Sequence, residues 1–289
     1  MSLALPGSCS LLSQMQEALR HIKGKRVTLT GSVHEALADF QWLAEDLASR
    51  PTHLFELVPL IPTIDGYHDS SGRMCGGVVL PGTLAVPRFL QKQPRDALSS
   101  KDKPAAQPIA WRFLYPQDVV DRLVTYKNSR GDINNSDLEL AGGVFQHFCA
   151  ADSYDMRERR VLSRTDNSSG MWWMRKGSAT CTSPPAHLLR LQAVHQQHHR
   201  YVPRHDFVSG VDNDISDVPY QSSALSDNQL IDFLNLHFPQ SHPWRMWTPP
   251  PECVFAIISA LRRKTSPRAS LQVEPATLMG TGQSGQTFV

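Results

Sequence analysis

Apolar residues recur at three- and four-residue intervals over residues 11–22 and 33–49. In the second stretch Ala36, Phe40, Leu43 and Leu47 form one stripe, which predicts a helix capped by Ser32 and ended by Arg50-Pro51. Alternation replaces that period from Tyr67 to Leu80, where two short strands flank a turn at Ser71-Gly72 and Gly76-Gly77 leads into Val78, Val79 and Leu80. Residues 84–108 are rich in Pro, Lys, Gln, Ser and Ala and follow neither period, so they read as an exposed insertion. Val119–Tyr126 then reads as a strand, and a helix from about Ser136 to Ala151 buries Leu138, Ala141, Phe145 and Phe148. Val161–Thr165 reads as a strand, Ala186–His199 as a helix and Arg200–Val208 as a further strand. This order predicts an α/β fold, a mixed five-stranded sheet flanked by helices. After Arg263 the chain is Ser, Pro, Gly, Thr and Gln with almost no periodic apolar position, which predicts a disordered tail over 264–289.

The 289 residues carry 29 Lys and Arg against 27 Asp and Glu, so a uniformly basic nucleic-acid coat is excluded. The distribution is more informative than the total. Asp152–His205 holds nine basic and four acidic residues, whereas Asp206–Asp232 holds six Asp and no base. A basic block beside an acidic one suits a chain that grips phosphates and gathers carboxylates around divalent cations, although a patchy solvated surface has the same arithmetic. The five cysteines include no C-x-x-C pair, which argues against a disulfide framework or a zinc ribbon. Cys253–Leu261, the longest apolar run, has nine residues against the roughly 20 of a membrane span, so no membrane partner is expected. The N-terminus shows no secretory pattern, and an intracellular setting is the expectation.

Four acidic residues stand where a strand end or a helix start can present them: Asp69, Glu139, Asp166 and Asp217. Hard oxygen donors of this kind suit Mg²⁺. Each also has a structural reading. Asp69 can serve a turn, Glu139 can close a capping box with Ser136, and Asp166 and Asp217 can cap helices. Glu139, however, shares its helical stripe with Gly142 and Gly143, a bare surface that admits close approach of a backbone or a substrate. A calcium loop beginning at Asp212 is excluded, because its sixth and twelfth positions are Asp217 and Ser223 rather than Gly and Glu.

Taken in order, the four segments resemble the ribonuclease H domain that follows the polymerase in retrotransposon reverse transcriptases. The resemblance rests on Asp69-Ser70-Ser71 through Gly76-Gly77-Val78, on Asn134 to Ala141, on Thr165-Asp166-Asn167 and on Gly210 to Asp217. It covers about residues 64–222 and implies a ribonuclease H-like sheet. Residues 1–63 then correspond to the helical connector behind a polymerase, and 223–263 to a helical C-terminal extension. It further implies that Asp69, Glu139, Asp166 and Asp217 hold two Mg²⁺, with Mn²⁺ as a substitute, for cleavage of the RNA strand of an RNA–DNA hybrid. No Y-x-D-D-like pair occurs, so the expected polymerase would be a separate partner.

Asn135, Asn167, Arg175, Lys176 and His205 are the candidate nucleic-acid contacts. Trp172 and Trp173 precede Arg175-Lys176, a mix that can track a phosphate backbone, with one of the two Trp expected in the core. In the family that the segments resemble, a histidine near the last acid assists product departure; His205, twelve residues before Asp217, is only weakly placed for that role. His195 and His199 lack the downstream C-x-x-C that an integrase-type zinc segment requires. Two alternatives stand beside the nuclease: an inactive nucleic-acid-binding remnant and an integrase or transposase core.

Overall fold

The computed structural model describes residues 8–12, 15, 24, 31–52, 62–81, 107–179 and 183–263. Most of the 11–22 helix and of the 84–108 insertion, and the whole 264–289 tail, lie outside these residues.

The strands are β1 (Ile64–Ser70), β2 (Met74–Pro81), β3 (Ile109–Leu114), β4 (Arg160–Thr165), β5 (Val202–Phe207) and β6 (Arg245–Trp247). The helices are α1 (Gly31–Ser49), α2 (Gln117–Val120), α3 (Asn135–Ser153), α4 (Ser168–Lys176), α5 (Ser183–His199), α6 (Asp214–Gln221), α7 (Asp227–His237) and α8 (Pro251–Leu261). One six-stranded sheet results, in the order β5-β4-β1-β2-β3-β6. β1, β2 and β3 run as an antiparallel meander. β4 lies parallel to β1 and β5 parallel to β4, which is possible because helices make the crossovers. The chain thus forms the mixed α/β sheet flanked by helices that its pattern predicts.

Three elements differ from expectation. The third strand is Ile109–Leu114, not Val119–Tyr126. Val119 and Leu123 are buried four residues apart while Val124 and Tyr126 are exposed, a helical and turn spacing rather than an alternation. The segment 223–263 is not purely helical, because Arg245–Trp247 adds a sixth strand parallel to β3. α1 begins at Gly31, which places Ser32 inside the helix instead of at its cap.

The two sheet faces bury different helices. Ile64, Cys75, Val79, Ile109 and Trp111 pack with α3, α5 and α8 in the main core, to which Phe40, Trp42, Leu43 and Leu47 of α1 also belong. Val78 and Ala110 face the other way, onto Leu230 and Leu234 of α7, with Ile215 and Val218 of α6 alongside. α1 is tied to α5 by a buried ion pair in which Arg190 Nη2 donates to Asp39 Oδ1 at 2.8 Å.

α3 is buried on every side from Asp137 to Ala151 and carries Gln146 and His147 into the interior. There they meet His68 of β1, Ser163 of β4, His205 of β5 and Gln192 and His195 of α5. His68 Nδ1 lies 3.3 Å from Ser163 Oγ, Gln192 Nε2 3.2 Å from His205 Nε2, and His195 Nδ1 3.1 Å from the Tyr201 hydroxyl. The His147 ring stacks on Tyr201 with centroids 5.4 Å apart. Burial holds these imidazoles neutral, pushing His68 down to about 3 and His147 to about 4, with His195 and His205 also well below the usual value.

Acid should therefore destabilise this layer. The unfolded histidines take up protons near pH 6.5 and the folded ones refuse them, so the stabilisation is present above that pH and drains away as pH falls toward the folded values. Denaturant titrations between pH 7 and 4 should show this acid limb, and His147→Gln should flatten it by up to about 1.4 kcal/mol per pH unit.

Candidate active site

Asp69 stands near the end of β1, directly opposite Gly76 of β2, and shares its side of the strand with Tyr67, which packs on the α6 face. A Cβ on Gly76 would lie 2.9 Å from the Tyr220 backbone nitrogen and 3.0 Å from Pro219 Cβ. The bare glycine is what lets α6 sit against the strand beside Asp69, and Asp217 lies in the first turn of that helix. Gln221 Nε2 donates to Asp217 Oδ2 at 2.8 Å and fixes the plane of its carboxylate.

Glu139 comes from the other side of the sheet, on the second turn of α3. The capping box there is Asn134 with Asp137: the Asn134 side chain accepts from the Asp137 N–H, and the Asp137 carboxylate accepts from the Asn134 N–H. The Ser136–Glu139 pairing expected from sequence does not form, and Glu139 has no capping role. Its neighbour Leu138 offers a carbonyl that accepts from both the Ser70 and the Tyr115 hydroxyls, each at 3.1 Å, which pins the helix start to the end of β1. Asp166 follows β4. α4 is capped by Asn167, whose side chain accepts from the Gly170 N–H at 2.8 Å, so Asp166 has no capping task either.

Carboxylate oxygens of Asp69, Glu139 and Asp166 all lie within 4.8 Å of one another. Asp217 is not one of these three, but it stands close enough for the charges of Asp69 and Asp166 to act on its carboxyl. Burial, then Asp69 and Asp166, hold the Glu139 carboxyl well above the usual carboxylate range. Asp166 is raised by burial and by Asp69, and Asp217 is pushed up to about 6 by burial and by the same neighbours. The largest influences on these three are burial and the neighbouring carboxylates. An all-oxygen cluster of this kind fits a hard divalent cation.

The other candidates are dispersed. Asn135 is exposed at the first position of α3. Arg175 donates to the His205 carbonyl and to Asp206 Oδ1, and both Arg175 and Lys176 lie over the ring of Trp172, which is 50% exposed. Trp173 packs against the core, as expected of one member of the pair. His205 does not stand at the carboxylates. It is 2% exposed with its ring turned onto His147 and Gln192, because the inward pleat of β5 carries it into the layer under the sheet. Its backbone, not its ring, serves the basic surface. Sequence reasoning missed Tyr115, Gln221 and the packing role of Gly76, of which only the Gly76-Gly77 pair left a signal.

No family model matches the chain, and no curated protein matches it. Among solved structures, ribonuclease H1 from the halophilic archaeon Halobacterium salinarum NRC-1 aligns with 54% of this chain and 92% of that one, at 13% identity and a TM-score of 0.32. No helix among the described residues is long and apolar enough to cross a membrane.

Two outcomes follow from the geometry. Gly76→Ala should cost about 1–3 kcal/mol by pushing α6 off the sheet, and should weaken Mg²⁺ binding measured by calorimetry. The second concerns pH. Carboxyls raised in the folded state favour the protonated site at low pH and lose stability as pH rises through about 6. The gain in Tm on adding Mg²⁺ should therefore grow from pH 5 to pH 7.5, and Glu139→Gln should raise the Tm of the metal-free protein while shrinking that gain.

Proposed function

We propose that the chain is a ribonuclease H-like nuclease, derived from a retroelement, that hydrolyses the RNA strand of RNA–DNA hybrids. The observation that carries this reading is the convergence of Asp69, Glu139 and Asp166 within 4.8 Å, with Asp217 near enough to feel the charges of Asp69 and Asp166. Two divalent cations bound by such carboxylates supply the charge that acidifies an attacking water and stabilises a leaving oxygen. The chain's own contribution is placement. Asp69 comes from a strand position paired with Gly76 of β2 and Glu139 from a buried helix, so their backbones are held in place before substrate arrives. Asp166 and Asp217 are the more open pair and complete the set at the substrate side.

The remaining candidates are assigned to the hybrid. Asn135 and Asn167, at the N-termini of α3 and α4, reach toward its sugar–phosphate edges, and Trp172 with Arg175 and Lys176 follows a strand along α4. Selection of RNA comes from duplex shape and the 2′-hydroxyl rather than from base sequence. The order of the four acidic segments over residues 64–222 supports the retroelement origin, with residues 1–63 as a former connector and a separate polymerase as partner.

The test is cleavage of an end-labelled RNA–DNA hybrid. RNA should be cut in Mg²⁺ or Mn²⁺ and left intact in EDTA, with DNA–DNA duplex resistant. Asp69→Asn, Glu139→Gln and Asp166→Asn should each lower the rate more than about 100-fold, beyond what loss of a supporting group costs. Cleavage that survives Asp69→Asn and Asp166→Asn overturns the assignment, and strand transfer in place of hydrolysis points to an integrase core.

A further inference from the structure

The last turn of α6 carries a polar pair that the carboxylates alone do not account for. Tyr220 follows Asp217 by three residues, so the two side chains leave the helix on the same face. Gln221 Nε2 donates to Asp217 Oδ2 at 2.8 Å and to the Tyr220 hydroxyl at 3.1 Å. Both hydrogens of that amide are thereby spent, and the phenol oxygen, having accepted one of them, keeps its own proton to give. The hydroxyl stands among the acids. Burial, and beyond it the charges of Asp69 and Asp217, push it up to about 12 against the opposite pull of Gln221. The backbone beneath the pair is held in place. Tyr220 rests its nitrogen on Gly76, directly opposite Asp69. Arg112 of β3 closes the turn behind it by donating to the Ser222 carbonyl at 2.9 Å and the Leu225 carbonyl at 2.8 Å. Tyr220 is half-buried and Gln221 exposed, so the pair belongs to the rim of the site and not to the core.

We propose that Tyr220 is a further substrate-touching residue, its hydroxyl donating to a non-bridging oxygen of the phosphate at the cut, with Gln221 as the positioning residue that holds the phenol beside Asp217. The inference rests on the nuclease reading and adds a group to it. A phosphodiester that approaches clustered carboxylates meets like charge. A lysine or arginine at this place would receive it, but would also pair with Asp69 or Asp217 and weaken their hold on a cation. A neutral hydroxyl gives a hydrogen bond strengthened by the charge of the phosphate and leaves the carboxylates as they are. Orientation by Gln221 means that the donor is aimed before the strand arrives, so no reorganisation is needed at the moment of reaction.

The experiment is single-turnover cleavage of an end-labelled RNA–DNA hybrid by the full chain in Mg²⁺, with Mg²⁺ calorimetry on the same preparations. Tyr220→Phe keeps the ring and the backbone seat on Gly76. It should slow the cut about tenfold or more, the worth of a hydrogen bond to a charged group, while Mg²⁺ affinity stays within about twofold of the parent. Gln221→Ala should slow it too, and the loss in the double variant should fall short of the product of the two single losses, because the amide acts in part through the phenol. Sulfur is a weak acceptor. With sulfur at a non-bridging position of the scissile phosphate, the gap between parent and Tyr220→Phe should close for one phosphorothioate diastereomer and persist for the other. Cleavage by Tyr220→Phe at the parent rate, or an equal gap on both diastereomers, overturns the phosphate contact and leaves the nuclease reading standing. A loss of Mg²⁺ affinity that matches the loss in rate does the same, since the phenol then acts on the carboxylates and not on the strand. A parent chain that cuts no hybrid overturns both.

Discussion

Carboxylates brought within 4.8 Å of one another repel, and the rest of the molecule is arranged to withstand that repulsion. At an effective dielectric near 20 an ionised pair at such a separation costs on the order of 3 kcal/mol, less where water reaches it. A loop would relax by moving the charges apart. Here Asp69 is paired with Gly76 of β2, two residues beyond the stretch of β1 that also pairs with β4, and Glu139 belongs to a helix with no exposed face over fifteen residues. The strain falls instead on the protons. Glu139, Asp166 and Asp217 all hold theirs to higher pH than isolated carboxyls do, which is how a rigid carboxylate cluster limits the cost.

The position of α3 is the second condition, and it is set by its first turn. Asn134 and Asp137 close the helix end on themselves, while Ser70 and Tyr115 both donate to the Leu138 carbonyl, so the helix can neither fray nor slide relative to β1. Further along, Gly142 and Gly143 allow β1 to approach: a Cβ on Gly142 would lie 2.8 Å from Ser70 Oγ, and one on Gly143 3.1 Å from His68 Nε2. The stripe of glycines beside Glu139 thus admits the strand and Met174 of α4 rather than a substrate. The same crowding explains why the layer beneath is polar and still neutral. Imidazoles and amides there satisfy one another in part, and their burial leaves no room for a charge.

How far the sequence could be read differs between elements for physical reasons. The hairpin was legible because alternation and the Ser71-Gly72 turn agree, and α5 because Leu188, Leu189 and Leu191 keep a helical period. β3 was not, since Ile109–Leu114 follows directly on a Pro-rich stretch and is buried on both faces at its start, which erases alternation. The four acids were legible through their order and neighbours, not through local rules. A capping box fits Ser136 and Glu139 as well as it fits Asn134 and Asp137, and only the tertiary contact of Leu138 with Ser70 and Tyr115 selects the second. His205 shows the converse failure. Its basic neighbours Arg204 and Arg175 mark a surface, yet the pleat of β5 turns the ring itself into the core.

The adjacency of basic and acidic blocks along the chain acquires a spatial meaning at α4. Each end of a helix carries a partial charge, positive at the N-terminus and negative at the C-terminus. α4 meets both with opposite charge: Asp166 just before its Asn167 cap, Arg175 and Lys176 in its last turn. Gly177 then stops the helix in a left-handed conformation at φ 61°, where a side chain would also press to 2.8 Å from Ser10 Oγ. What steadies the helix is therefore also what sorts its charges, since the arrangement favoured by the dipole keeps the clustered carboxylates and the Arg175 guanidinium a full helix length apart. Were they closer, Arg175 would pair with Asp166 in place of Asp206, and the repulsion among the carboxylates would be relieved. The total charge of +2 is the same wherever those groups lie and gives no sign of their separation.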